Sequence, residues 1–166
     1  HWERLSASAA FFRIPVPATL EQMGEVIARL LRNNGHVDAV VRMTLSRGAS
    51  SPGLALDGPV EPNLIVQSRT YKPFPTRIYR KGATLVIARV RQNADSPLPQ
   101  HKTANYLLHC LARQEARDVK ANDALLLNQH GQVCETSVAN VFWVKGGRLF
   151  TPPVEANLIT SAPRPT

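Results

Sequence analysis

Residues 101–144 constrain the fold most strongly, because their apolar pattern changes from helical spacing to a series of short strands. The first part predicts an amphipathic helix from about Lys102, with one apolar face formed by Leu107, Leu108, Leu111, Ala112 and Ala116. Short apolar segments follow around turn residues such as Gly131, at residues 123–128, 133–136 and 138–144, and one more lies just beyond the stretch at residues 148–150. The stretch therefore predicts one helix followed by a small antiparallel meander.

Two helices and four strands are predicted before this stretch. Residues 1–12 carry apolar side chains at helical spacing. Thr19 followed by Gln22 is a capping-box pattern, which predicts a second helix that ends near Gly35. Strands are predicted at residues 36–46, 63–69, 76–79 and 83–89.

Helices followed by consecutive strands indicate an α+β fold. We predict a small two-layer α/β domain at residues 1–91 and a second, β-rich domain at residues 101–166. Residues 92–100 contain two prolines and no apolar pattern, so they are predicted to be the linker.

The composition limits the classes of function. The formal net charge is +8, but the basic residues are dispersed and no RNA-binding or zinc-module pattern occurs, so we expect no nucleic-acid partner and no metal. No run of about 18 apolar residues and no signal-peptide pattern is found, which predicts a cytoplasmic protein without a membrane partner. The two cysteines, Cys110 and Cys134, are expected to be reduced, structural thiols.

Several motifs occur in one order between residues 96 and 158. They are Lys-Thr-x-Asn-Tyr-Leu, Ala-Arg-x-Glu-Ala, Asp-Ala-Leu-Leu-Leu-Asn-x-x-Gly-x-Val-x-Glu-Thr-Ser-x-x-Asn-Val-Phe and Leu-Phe-Thr-Pro-Pro. Together they resemble the class IV pyridoxal-phosphate aminotransferases, which include branched-chain and D-amino acid aminotransferases and aminodeoxychorismate lyase. The resemblance implies a fold-type IV enzyme with pyridoxal 5′-phosphate as cofactor, amino acid and 2-oxo acid substrates, and a homodimer in full-length members.

The resemblance also implies roles for five residues. Lys102 would form the Schiff base with the cofactor and then move the proton between Cα and C4′. Glu135 would keep the pyridine nitrogen protonated, and Tyr106 would hydrogen-bond the phenolic oxygen. Arg4 would bind the phosphate, and Arg42 would lie near the substrate carboxylate. Outside these motifs, the same lysine and glutamate would be read as surface residues and the tyrosine as a core residue.

The branch of the family is left open by two features. Val40 stands where branched-chain enzymes have an aromatic residue, two positions before Arg42. Residues 47–54 resemble the lyase and D-amino acid branches, whose carboxylate-binding arginine corresponds to a position near Pro52.

The family pattern extends beyond both ends of this sequence. Its first strands would precede His1, and its phosphate-binding turn at a helix N-terminus would follow Leu158. We therefore expect a chain that is truncated at both ends, with an incomplete second domain. Thr160 and Ser161 are candidate substitutes for the missing phosphate-binding hydroxyl.

Three functions follow as hypotheses. The first is transamination between an amino acid, branched-chain-like as a first guess, and a 2-oxo acid. The second is an aminodeoxychorismate lyase, which uses the same lysine and cofactor to release pyruvate. The third is a non-catalytic remnant that no longer binds the cofactor.

Overall fold

The computed structural model describes residues 1–49, 56 and 58–156. The chain forms two compact units, His1–Phe74 and Pro75–Thr166. This division comes before the predicted linker at residues 92–100, because the strand that ends at Gln92 pairs with a strand of the second unit. Among the described residues, no helix combines the length and the apolar character needed to cross a bilayer.

The first unit consists of two helices and a two-stranded antiparallel sheet. Helix α1 (Trp2–Phe11) and helix α2 (Leu20–Asn33) precede strands β1 (Ala39–Ser46) and β2 (Asn63–Thr70). Thr19 and Gln22 form the predicted capping box, with both reciprocal hydrogen bonds present. Side chains from the end of α2 reach β2, since Asn34 donates to Ser68 Oγ at 2.9 Å. The predicted helices and strands of this unit are confirmed within a few residues.

The second unit combines a three-stranded sheet with one long helix. Helix α3 (Thr76–Lys81) is followed by strand β3 (Leu85–Gln92), helix α4 (Leu107–Asp118), strand β4 (Asp123–Asn128) and strand β5 (Val133–Thr136). The sheet order is β3-β4-β5, with β3 parallel to β4 and β4 antiparallel to β5. A separate hairpin follows, formed by β6 (Trp143–Lys145) and β7 (Arg148–Phe150). The mixture of helices and strands confirms the predicted fold class.

Several sequence predictions for this unit are wrong. Residues 76–79 form the start of α3 rather than a strand, with Pro75 as its N-cap and Gly82 at φ +77° as its C-cap. The predicted antiparallel meander of residues 123–150 is not one sheet, because β4 and β5 belong to the sheet with β3, whereas β6 pairs with β7 in a sheet of its own. The third error concerns the start of α4, which lies five residues after Lys102.

A layer of small side chains packs α4 against the sheet. Ala112 and Ala116 of α4, together with residues of β3 and β4, are fully buried in one core cluster, whose other members are Ala88, Ala124 and Leu126. Leu108 packs against this cluster, whereas Leu107 and Leu111 are 68% and 47% exposed, contrary to the predicted apolar face. The reason is the 3.6-residue period, which puts residues 108, 112 and 116 on one line of the helix. The small side chains bring α4 close to the strands that it covers.

Candidate active site

Lys102 lies in the turn segment that leads into α4. Thr103 Oγ1 accepts a hydrogen bond from the Asn105 backbone N–H at 3.1 Å, and the Tyr106 N–H donates to the Ala104 carbonyl at 3.0 Å. A threonine side chain that bonds the backbone locally competes with helix formation, which explains why α4 begins only at Leu107. Lys102 is therefore presented on a loop, where its side chain is exposed.

Tyr106 connects Lys102 to the helix. Its ring lies 5.1 Å from Lys102 Nζ, which is within the range of a cation–π contact. The same ring packs edge-to-face against His109, with centroids 5.3 Å apart. The Tyr106 hydroxyl is buried and has no hydrogen-bond partner among the described residues. A buried hydroxyl without a partner is uncommon, and it leaves one donor free for a bound group.

Glu135 lies on β5, which is an edge strand of its sheet, but the residue is only 5% exposed. The alternative that Glu135 is an exposed surface residue is therefore wrong. The Oε1 atom of Glu135 lies 3.0 Å from His109 Nε2. His109 and Glu135 have side-chain exposures of 14% and 6%, so this contact is shielded from water. The structure thus links the lysine, tyrosine and carboxylate predicted from the sequence through a histidine that sequence reasoning missed.

Ionic and hydroxyl contacts fix the turn that follows Glu135. Ser137 Oγ donates to Asp123 Oδ1, and Arg113 Nη1 lies 3.1 Å from the same oxygen. Burial by itself raises the pKa of Asp123, but hydrogen bonds from Ser137, the Ala124 backbone, Thr136 and Arg113 outweigh it and hold the pKa below the usual value of 3.8. The ionised Asp123 therefore anchors the residue two positions after Glu135.

A cleft of about 170 Å³ lies beside the start of α4. Tyr106 and His109 line it, together with loop residues that include Asn93, His101 and Asn105. Apolar residues also line it, namely Leu98 and Pro99 of the loop and Leu108 of α4. The buried Tyr106 hydroxyl and the buried His109 Nδ1 thus belong to residues that line one cleft.

The residues of the second unit fit part of the chemistry that pyridoxal phosphate requires. The cofactor needs an amine for covalent attachment, an acid for the ring nitrogen and a donor for its phenolic oxygen. Lys102 offers an exposed amine, Glu135 a buried carboxylate and Tyr106 a hydroxyl without a partner among the described residues. Groups for the phosphate were predicted at Thr160 and Ser161, which lie outside the described residues.

The two predicted arginines belong to the first unit. Arg4 lies on α1, where its Nη2 is 3.1 Å from His1 Nδ1. Arg42 is an exposed residue of β1, opposite Gln67 of β2. Their roles toward phosphate and substrate stay predictions. Pro52, near the predicted carboxylate-binding position of the lyase branch, lies outside the described residues.

Two further residues differ from what the sequence suggested. Cys110 is exposed, so its predicted role as a structural thiol is wrong, whereas Cys134 is fully buried as predicted. His109 could have been noticed from its spacing, because residues three apart on a helix share a face and His109 follows Tyr106 by three. The partner of His109 was not visible in the sequence, since Glu135 is 26 residues away.

Several known proteins are similar to this chain over most of its length. The Arabidopsis thaliana branched-chain-amino-acid aminotransferase-like protein 2 is 36% identical over 162 residues, which cover 92% of this chain and 28% of that protein. The Vibrio harveyi aminodeoxychorismate lyase is 27% identical over 152 residues, which cover 92% of this chain and 55% of the lyase. The crystal structure of a T.th. branched-chain amino acid aminotransferase with pyridoxamine 5′-phosphate aligns with a TM-score of 0.83 at 29% identity, and covers 95% of this chain and 53% of the other.

This chain spans about half or less of the length of each of these relatives. The family model for amino-transferase class IV matches residues 1–162 of the 166 residues. The match therefore includes both units and every predicted site residue. The chain belongs to the class IV aminotransferase family.

Proposed function

We propose that the protein is a pyridoxal-phosphate-dependent aminotransferase that moves an amino group between an amino acid and a 2-oxo acid. The observation that carries this proposal is the connected set formed by Lys102, Tyr106, His109 and Glu135 within one unit. A branched-chain-like amino acid is the first candidate substrate, because relatives named as branched-chain aminotransferases or similar to them match most of this chain.

Each residue of the set has a distinct task in this proposal. When bound, pyridoxal phosphate supplies an electron sink for the negative charge that develops at the substrate Cα. The amine of Lys102 attaches the cofactor and then moves the proton between Cα and C4′. The Tyr106 hydroxyl donates to the phenolic oxygen, and the Glu135 carboxylate holds the proton on the ring nitrogen. The burial of Glu135 strengthens the hydrogen bond between its carboxylate and the ring nitrogen, because little water competes for the carboxylate.

Two arginines are the remaining candidate ligands of this proposal. Arg4 is the candidate phosphate ligand, since a guanidinium can bind two phosphate oxygens at once. Arg42 is the candidate ligand of the substrate carboxylate. We also propose a homodimer, which the resemblance implies for full-length family members, and a cytoplasmic location, which the composition suggests.

Aminodeoxychorismate lyase activity is the second candidate. The Vibrio harveyi lyase matches 92% of this chain, so the similarity to the lyase branch extends over both units. The two activities share Lys102 and the cofactor. Transfer of the amino group to an added 2-oxo acid supports the first candidate, and release of pyruvate from aminodeoxychorismate supports the second.

Cofactor loading tests the proposal. The purified protein is mixed with pyridoxal phosphate, separated by gel filtration, reduced with borohydride and mapped by mass spectrometry. We expect a visible absorption band and a modified Lys102 in the wild type, neither in Lys102→Ala, and both in the control Lys145→Ala, whose lysine is also exposed. The absence of a band in the wild type, or an unchanged band in Lys102→Ala, would contradict the proposal and favour the non-catalytic alternative.

A further inference from the structure

We propose that His109 is a positioning residue that holds the Glu135 carboxylate in place for the cofactor's ring nitrogen. This inference rests on the proposed function, and it assigns a role to a residue outside the family motifs described above. It depends on three observations: the short contact between the two side chains, their burial, and the packing of His109 against Tyr106.

The contact between His109 and Glu135 joins two different elements of the second unit. His109 lies in the first turn of α4, and Glu135 lies on β5, two strands away from β3 in the sheet. The Nε2–Oε1 distance of 3.0 Å is that of a hydrogen bond. Helix α4 is held against the sheet by the alanine layer, so the position of the imidazole is set by a rigid element.

The direction of the hydrogen bond follows from its acceptor. An ionised carboxylate only accepts, so the proton must be on His109 Nε2. The other ring nitrogen, Nδ1, is buried and has no hydrogen-bond partner among the described residues. The contact therefore uses a single imidazole donor, the Nε2–H group.

The hydrogen bond occupies only one of the two carboxylate oxygens. His109 engages Oε1, which leaves Oε2 as the acceptor for a protonated ring nitrogen. Fixing one oxygen removes the rotation of the carboxylate about its last bond, so less conformational freedom is lost when the ring nitrogen is bound. His109 would therefore favour the orientation of Glu135 in which the remaining oxygen is available to the cofactor.

Tyr106, the residue proposed to bind the phenolic oxygen of the cofactor ring, packs directly against His109. The Tyr106 and His109 rings pack edge-to-face at 5.3 Å, and the two residues are one helical turn apart. The beginning of α4 thus carries both the hydroxyl proposed for the phenolic oxygen and the imidazole that orients the acid. A substitution at His109 should affect the ring nitrogen while it leaves the attachment at Lys102 intact.

Variants at His109 separate positioning from simple packing. His109→Gln places an amide N–H near the position of Nε2, His109→Asn carries the same group on a side chain that is too short, and His109→Leu removes the donor. Each protein is loaded with pyridoxal phosphate labelled with ¹⁵N in the ring. Two quantities are measured: loading at Lys102 by reduction and mass spectrometry, and the protonation of the ring nitrogen by its ¹⁵N chemical shift.

We expect loading at Lys102 in all four proteins. The ring nitrogen should be protonated in the wild type and in His109→Gln, and its resonance should move toward the unprotonated position in His109→Leu and His109→Asn. The kcat should fall about tenfold or more in the last two variants, an effect of the size found when the partner of a functional group is removed, with little change in KM.

The outcomes distinguish this inference from the proposed function. An unchanged ring resonance in loaded His109→Leu and His109→Asn would overturn the positioning role and leave the proposed function intact. A wild-type protein that does not load at Lys102 would overturn both. If His109→Leu does not fold, the comparison of His109→Gln with His109→Asn gives the same decision, since only the reach of the amide differs between them.

Discussion

Replacing Ala112 with leucine tests whether the alanine layer positions the candidate site. Ala112 is fully buried and packs in a cluster with Ala88, Ala116, Ala124 and Leu126. It lies three residues after His109 on the same helix. A larger side chain here must push α4 away from the sheet or distort its own rotamer, because the cluster is already closed to solvent.

The expected magnitude follows from the volume that leucine adds. The three extra carbons would contribute up to about 0.8 kcal/mol each if they could be buried without strain. Overpacking of a filled core instead costs about 1–3 kcal/mol, and the helix propensities of alanine and leucine are similar. We therefore expect the free energy of unfolding to fall by about 1–3 kcal/mol in Ala112→Leu.

Urea unfolding measures this change. With an m-value of about 2 kcal/mol/M, the midpoint should fall by roughly 0.5–1.5 M. The matched control is Gln114→Leu, which puts the same side chain at an exposed position of α4 and should change the stability by less than about 0.5 kcal/mol. Loading at Lys102 should also weaken in Ala112→Leu, because Tyr106 moves with the helix. A variant as stable as the control would refute the idea that the alanine layer sets the helix position.

Three other expectations follow from the structure. The lowered pKa of Asp123 means that its ionised form stabilises the fold at pH values above the usual pKa of 3.8. This contribution is lost as the pH falls through the lower pKa of the folded state. Between pH 3 and 6, the urea midpoint should therefore fall less steeply with decreasing pH in Asp123→Asn than in the wild type. Gly24→Ala should raise the free energy of unfolding by about 0.5–1 kcal/mol, because Gly24 lies inside α2 with open space around it. Gly48→Ala should lower it by at least about 1–2 kcal/mol, since Gly48 has φ +88° and a Cβ would lie 1.8 Å from a backbone oxygen. Thermal melts that rank the two variants in the opposite order would contradict this expectation. A thiol reagent should modify Cys110 at once and Cys134 only on unfolding. The reason is that burial, together with the neighbouring Glu135 charge, raises the pKa of Cys134 to about 11. Rapid modification of both thiols would show instead that Cys134 is accessible.

The sequence alone was sufficient where local chemistry decides the structure. The capping box at Thr19 and Gln22 fixed the start of α2, and β4 and β5 have the bounds that the apolar runs predicted. Turn chemistry around Gly131 and the alternation of side chains are short-range signals, so they can be read without knowledge of the fold. The ordered motifs around Lys102 and Glu135 likewise indicated the family before any geometry was known.

Only the tertiary structure decided how these segments combine. Residues 76–79 have a composition compatible with a strand, but α3 forms there between Pro75 and Gly82. The parallel pairing of β3 with β4 and the choice of Leu108 over Leu107 for the core depend on how α4 packs across the sheet. The contact of His109 with Glu135 spans 26 residues, and no local pattern encodes a partner at that distance. The sequence therefore determined the reactive groups, whereas long-range packing determined which of them touch.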